Sequence, residues 1–313
     1  MISSACSGND TYSITDINYI KQHIHQSTSP PILIILMPGS LHLTDFCLRL
    51  MPTRENIILI LNGLDNWEKI WVGKNLRPSI AFMTDTVLDH PLLLNCAFTY
   101  IDRPFGIIDY DCFFTPSNTY NNFTNVTQNT LGNALFAHRI PKLNMWLPHT
   151  HALFFNTVTI KEIFEKYSVD CNRIPYQTLS PALWEKIKPL GITDNNLPEE
   201  DFNFDTCILA ILLAMTEQKF FKRLESNTKP LAHHIGCISN PEDISSIWRI
   251  RASYFWQSAL ELHPDQELRS RYKDLHPKLK NIKDLKTSLE EKNDYSGLQR
   301  MEYALLFLKT RNY

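Results

Sequence analysis

Two carboxylates two residues apart, Asp109 and Asp111, end the apolar run Phe105-Gly106-Ile107-Ile108 and precede another, Cys112-Phe113-Phe114. An extended backbone puts alternate side chains on one face. The two acids therefore point together as hard oxygen ligands for Mg2+ or Mn2+, whose remaining positions phosphate oxygens and water would fill. Later in the chain, His233 and His234 stand side by side in the stretch Leu231 to Ser239. Imidazole suits Mn2+ and completes a carboxylate site. Neighbouring side chains of an extended segment point opposite ways, so one histidine joins the acids, and the sequence does not select which.

Two further groups have chemistry open to them. The acidic segment Glu199 to Thr206 precedes the apolar stretch Cys207 to Met215. A carboxylate within reach of a hydroxyl is a general base; Asp201 and Asp205 are the candidates, and Asp205 has the alternative role of N-cap for the helix that follows. Trp146 lies just ahead of His149 and His151. Its ring offers a face and one N–H to a sugar, or it packs into the core with Phe154. His149 and His151 have metal-ligand spacing, but with no cysteine or third histidine nearby no zinc site is expected.

The elements that must position these residues are legible as alternating runs. Ile32 to Met37 and Asn56 to Leu61 are short, apolar and β-branched, closed by Pro38-Gly39-Ser40 and Asn62-Gly63, which reads as strands buried on both faces of a parallel sheet. Ile80 to Met83 and Phe105 to Ile108 continue the series. Asp16 to Gln26, Leu41 to Leu50 and Leu88 to Tyr100 have helical spacing, and strand and helix alternating at this pace give βαβ units. Ala152 to Thr157 predicts a strand, Val158 to Tyr167 a helix, Cys207 to Met215 a helix and Phe220 to Leu224 a strand. Thr115 to Thr130 is rich in Asn and Thr without periodicity and reads as a surface loop, placed to close over the acids as a lid. Beyond Asn240, Trp248 to Leu262, Pro264 to Glu291 and Leu298 to Thr310 are helical with no strand signal. The expected architecture is an α/β unit over residues 1–240 and a helical C-terminal appendage over 241–313.

Order and spacing over about residues 30 to 240 resemble GT-A glycosyltransferases, whose Asp-x-Asp follows a helix and a strand as it does in Leu88 to Tyr100 followed by FGIIDYDCFF. The resemblance implies a mixed, mainly parallel sheet flanked by helices and a nucleotide-sugar donor. It makes Asp109 and Asp111 ligands of the ion bridging the donor diphosphate, with His233 or His234 as the late histidine. It further implies that Pro38 and Gly39, after the first strand, and Asn62 to Asp65, after the second, flank the nucleotide. Asp65 then meets base or ribose, unless it is a plain turn residue. Asp201 or Asp205 takes the base's place, and Trp146 lies in the acceptor-facing region. The acceptor, a glycan, lipid or protein, has no signature here.

Bulk properties narrow the alternatives. The chain has 313 residues, 43% hydrophobic and 20% charged, a net charge of -2 and a pI near 6.6. That is globular composition without the basic field a nucleic acid selects. No apolar run of membrane-spanning length occurs. Seven scattered cysteines without a Cys-x-x-Cys pair, and no secretory leader, predict reduced thiols and a cytoplasmic protein. Two rival readings stand beside the transferase. A Mg2+-dependent phosphohydrolase would want an acid after the first strand, where Met37 to Ser40 has none. A non-catalytic scaffold would bind a partner through Trp248, Tyr254, Phe255 and Trp256.

Overall fold

The computed structural model describes residues 28–76, 80–115, 117–127, 130–140, 145–192, 203–224, 230–236 and 241–311. Its centre is a seven-stranded sheet built from β1 (Ile32–Leu36), β2 (Ile57–Asn62), β3 (Ile80–Thr84), β4 (Phe105–Asp109), β6 (Gly132–Ala134), β9 (Ala152–Phe155) and β12 (Phe221–Arg223). In space they lie β12-β6-β9-β4-β1-β2-β3, and only β9 runs against the rest. The mixed, mainly parallel sheet expected from the sequence is therefore what the chain forms.

Five consecutive buried residues in β1 and six in β2 explain why these runs carry no polar alternation. Period-two geometry still sorts them. Ile32, Ile34, Leu36, Leu59, Ile108 and Phe154 enter one core, and Leu33, Ile35, Ile58, Ile60, Ile107 and Phe155 the other. Helices α1 (Leu41–Leu50), α8 (Ile247–Leu262), α9 (Gln266–Leu275), α10 (Ile282–Glu291) and α11 (Tyr295–Arg311) cover the first face. Helices α3 (His90–Tyr100), α5 (Thr157–Tyr167) and α7 (Ile208–Thr216) cover the second. Residues on both sides of position 240 thus share one buried cluster. Small ribbons finish the fold: β5 (Cys112–Phe114) with β13 (Ala232–His234), and β7 (Ala137–Ile140) with β8 (Met145–Pro148).

Several expectations need correction. Thr115 to Thr130 is not a structureless lid, because Ser117–Thr124 forms helix α4 and buries Tyr120 and Phe123, three apart on one face. The Nδ2 group of Asn133 is shared among the carbonyls of Asn122, Phe123 and Asn125, so the helix end is tied to β6. Asp205 is not the N-cap of α7. The cap is Cys207, in left-handed conformation at φ 59° and bonded to Cys171, whereas the Asp205 side chain accepts from the Thr206 N–H. That disulfide also replaces the all-thiol expectation, leaving Cys47, Cys96 and Cys112 as free thiols among the described residues. Pro264 to Glu291 is two helices, broken where His276 leaves helical geometry ahead of Pro277. The expected opening helix, Asp16 to Gln26, lies outside the described residues.

Candidate metal and sugar-transfer site

Asp109 ends β4, in the middle of the sheet's C-terminal edge, where open α/β sheets bind ligands. The antiparallel register of β4 and β9 puts Ile108 opposite Ala152, so His151 arrives beside Asp109. The Asp109 N–H donates to the His151 carbonyl at 2.8 Å, and His151 Nδ1 lies 3.1 Å from Asp109 Oδ2. From the other side, β13 pairs with β5 so that His234 faces Cys112 and His233 faces Phe113. His234 Nε2 then sits 3.5 Å from Asp109 Oδ2 and 3.4 Å from Asp111 Oδ1. Asp111 is buried, and its second oxygen accepts from the Gly236 N–H at 2.9 Å.

The sequence left His233 and His234 unresolved, and the ribbon separates them. His234 joins the acids, while His233 turns toward α11, its ring 5.3 Å from Tyr303 and 5.8 Å from Phe307. One ligand atom from each of Asp109, His151 and His234 lies within 4.8 Å of the other two. His151 and His234 stack with ring centroids 3.8 Å apart. The missed member is His151. Its spacing to His149 was visible, but its partner depends on a strand register that composition does not encode.

The electrostatics fit a cation site. Burial opposes ionisation of Asp109, yet His151 and His234 outweigh it and hold the carboxyl well below the usual range. Burial likewise opposes charge on His234, but Asp111 and Asp109 raise its pKa to about 10, so without an ion its proton is the local cation. The row of rings continues outward. His149 stacks at 5.2 Å from His151, and His138 lies 4.7 Å from His149. Burial and then the other imidazoles push His149 down to about 4. His90, at the start of α3, feels Asp109 and Asp205 and keeps a buried Nε2 without a protein partner.

The remaining candidates divide. Gly39 turns at φ 82°, its N–H donating to Glu68 Oε1 at 2.8 Å and its carbonyl accepting from Trp256 Nε1 at 2.9 Å, so both its polar groups are held by the chain itself. Pro38 beside it is exposed. Asn62 is buried, its amide spanning Leu88 N, Leu88 O and Thr84 Oγ1, which makes it a brace between β2, the end of β3 and the segment leading to α3. Asp65 caps α2 (Asn66–Trp71) in a capping box with Glu68, the turn-residue alternative. Asp205 pairs with Arg173 at 2.9 Å; burial works against its charge, and the Thr206 N–H and Arg173 hold its pKa below the ordinary value. Asp201 lies outside the described residues. Trp146 is not core: it is 44% exposed, with Arg223 stacked 3.5 Å from its ring centre. The two line a cavity of about 340 Å3 together with Ala137, Ile211, Met215 and Phe220. Arg223 ends β12 and pairs with Ala134, so it lies at the same sheet edge as Asp109.

Comparison with known proteins gives these features a setting. Residues 13–160 match the StrH glycosyltransferase N-terminal domain family. Over 92 residues, 29% of this chain, the sequence is 33% identical to dTDP-dihydrostreptose–streptidine-6-phosphate dihydrostreptosyltransferase of Streptomyces griseus. The matched stretch spans about a quarter, 24%, of that relative's length. Among solved structures, mannosyltransferase PcManGT from Pyrobaculum calidifontis, in complex with GDP-Man and Mn2+, aligns over 96% of this chain and 94% of its own at 9% identity and a TM-score of 0.38. Glycosyltransferase GlyE of Streptococcus pneumoniae aligns over 85% of this chain and 65% of its own at 12% identity and a TM-score of 0.39. The glycosyltransferase resemblance read from the sequence is borne out by the family match.

Proposed function

We propose that this chain, whose residues 13–160 match a glycosyltransferase domain, is a metal-dependent glycosyltransferase that moves a sugar from a nucleotide-sugar donor to a small acceptor. The observation that carries the reading is the convergence of Asp109, Asp111, His151 and His234 on the C-terminal edge of the sheet. One carboxylate and two imidazoles within 4.8 Å fit a divalent ion of the Mn2+ type better than Mg2+, which prefers an all-oxygen shell. When bound, that ion supplies positive charge to the departing diphosphate. Asp109, His151 and His234 are the residues that would hold it, and Asp111, pinned by Gly236 N–H, fixes His234 between the two acids.

The chain's own groups account for the rest. Without an ion, protonated His234 balances the two acids, and its neutral imidazole would be the form that serves as a ligand were a cation bound. Exposed Pro38 and the capping Asp65 follow β1 and β2 at the sheet's C-terminal edge, the side on which the proposal puts the donor nucleotide. The Trp146–Arg223 shelf on the β6–β12 side takes the acceptor, stacking its ring face. Asp205, kept ionised beside Arg173, is the base that receives the acceptor hydroxyl proton. The relative's printed activity makes dTDP-dihydrostreptose the first donor to try, with streptidine 6-phosphate as acceptor.

Of the aromatics the scaffold alternative rested on, Tyr254, Phe255 and Trp256 are buried in the core, and only Trp248, 56% exposed with Arg251 over its ring, faces outward. A thermal-shift panel of nucleotide sugars with and without Mn2+ tests the proposal, because ligands of the native state raise its stability by RT ln(1 + [L]/Kd). Stabilisation by a nucleotide sugar that needs both Mn2+ and Asp109 is the expected result. A panel with no metal-linked response would sink it.

A further inference from the structure

We infer that His138 and His149 form a second divalent-metal site, for a borderline ion such as Zn2+, next along the row of rings from the carboxylate cluster. β7 and β8 pair with His138 opposite Leu147, so His149 stands two residues on, a diagonal neighbour on the same face of the ribbon. The bond from His149 N to Phe136 O, 2.9 Å, extends the ladder and fixes the backbone under both rings. The ring centroids are 4.7 Å apart with their planes inclined at 42°. An imidazole nitrogen about 2.1 Å from zinc puts its ring centre about 3 Å from the ion, so two rings on adjacent tetrahedral corners have centres about 5 Å apart. The free protein already has that separation.

The donor set decides the ion. Two imidazoles with no carboxylate favour Zn2+, Ni2+ or Cu2+ over Mg2+, Ca2+ or Mn2+. His138 is exposed and His149 half-buried, which leaves the outer coordination positions to water. The inner cluster, with Asp109 among its ligand atoms, has the harder character. The two sites therefore separate by ion preference, and this one does not depend on the transferase reading.

The test is calorimetric titration of the metal-free full chain with Zn2+ and, separately, with Mn2+. Zn2+ is expected to fill two sites. His138→Ala should remove one of them, because two linked donors bind more tightly than one by on the order of 10²-fold, and should leave the Mn2+ isotherm unchanged. Asp109→Asn should do the reverse, abolishing Mn2+ binding while the His138-dependent Zn2+ event persists. His138→Gln, which keeps size and polarity at an exposed position, repeats the measurement should the alanine variant prove less stable. Zn2+ isotherms identical between wild type and both His138 variants would overturn the inference, as would a Mn2+ isotherm that changes with them. A missing Mn2+ event in wild type would count against the transferase proposal and leave the outer site standing.

Discussion

His234 lies within 3.5 Å of both Asp109 and Asp111, and under the proposed function a divalent ion would take the place its proton now serves. Replacing Asp109 by Asn keeps the shape but deletes a charge. We expect it to abolish the Mn2+-dependent rise in melting temperature and to return about 3 kcal/mol to the transfer barrier, the size seen when one charge-stabilising group is lost. An unchanged melting shift would remove Asp109 from the metal site. His234→Ala should weaken Mn2+ binding in calorimetry, whereas His233→Ala, whose ring packs on Tyr303 and Phe307, should leave it intact and lower stability instead. Equal effects of the two would contradict the opposed directions of β13. Another prediction concerns His42, buried between α1 and α8, edge-on to Trp256 with Nε2 3.2 Å from the Trp256 carbonyl. Burial, then the nearby His263, depresses its pKa well below the ordinary value. The folded state thus refuses a proton that the unfolded chain accepts near pH 6.5. Stability is full above that pH and falls as pH drops below it, by up to about 1.4 kcal/mol per unit for one proton. Chemical denaturation at pH 7.5 and 5.0 should show a smaller acid loss in His42→Gln than in wild type. The split histidines were legible because strand alternation in β13 separates them, whereas Asp109 ends β4 and Asp111 lies in the turn before β5, so the acids are brought together across a turn and not by alternation. His151 was not legible, since only the pairing of β4 with β9 delivers it.

Elements that advertise themselves by apolar content were read well, and those held by a few polar contacts were not. β1 and β2 are buried on both faces, so composition alone announces them. Helix α4 has a polar, Asn-rich sequence and owes its place to Tyr120, Phe123 and the amide of Asn133. Asn133→Ala leaves the buried Phe123 carbonyl without this donor and should cost about 1–3 kcal/mol, with faster amide exchange through residues 117–127. Unchanged exchange there would restore the loop description. The start of α7 was misassigned for a related reason: an acid before an apolar run resembles a cap, but the backbone turn at Cys207 and its bond to Cys171 set the boundary. Gly132 gives a sharper test at β6. Its φ is 145°, and a β-carbon there would lie 1.8 Å from the Phe154 carbonyl oxygen. Gly132→Ala must therefore part β6 from β9, a loss beyond the roughly 0.5–3 kcal/mol of ordinary substitutions. Thermal unfolding measures it directly.

Helices α8 to α11 looked like an appendage because they are charged and free of strand signals. In three dimensions Phe255, Trp256, Leu285 and Leu308 share a core with Ile32, Leu36 and Leu59. They also brace the turn after β1: Tyr272 donates to Glu68, the same carboxylate that holds Gly39 N–H, while Trp256 holds the Gly39 carbonyl. A chain ending at residue 240 should accordingly show no cooperative unfolding transition by circular dichroism, and a sharp transition at native-like temperature would establish the first 240 residues as self-sufficient. The same arrangement has a consequence for biosynthesis. β1 takes the middle of the sheet, yet the helices that roof it are translated well after it. At about 5–20 residues per second, one face of the central strands waits on the order of tens of seconds for its cover. Nascent chains stalled ahead of α8 should therefore be bound by chaperones that recognise exposed apolar surface, and released once α11 has emerged.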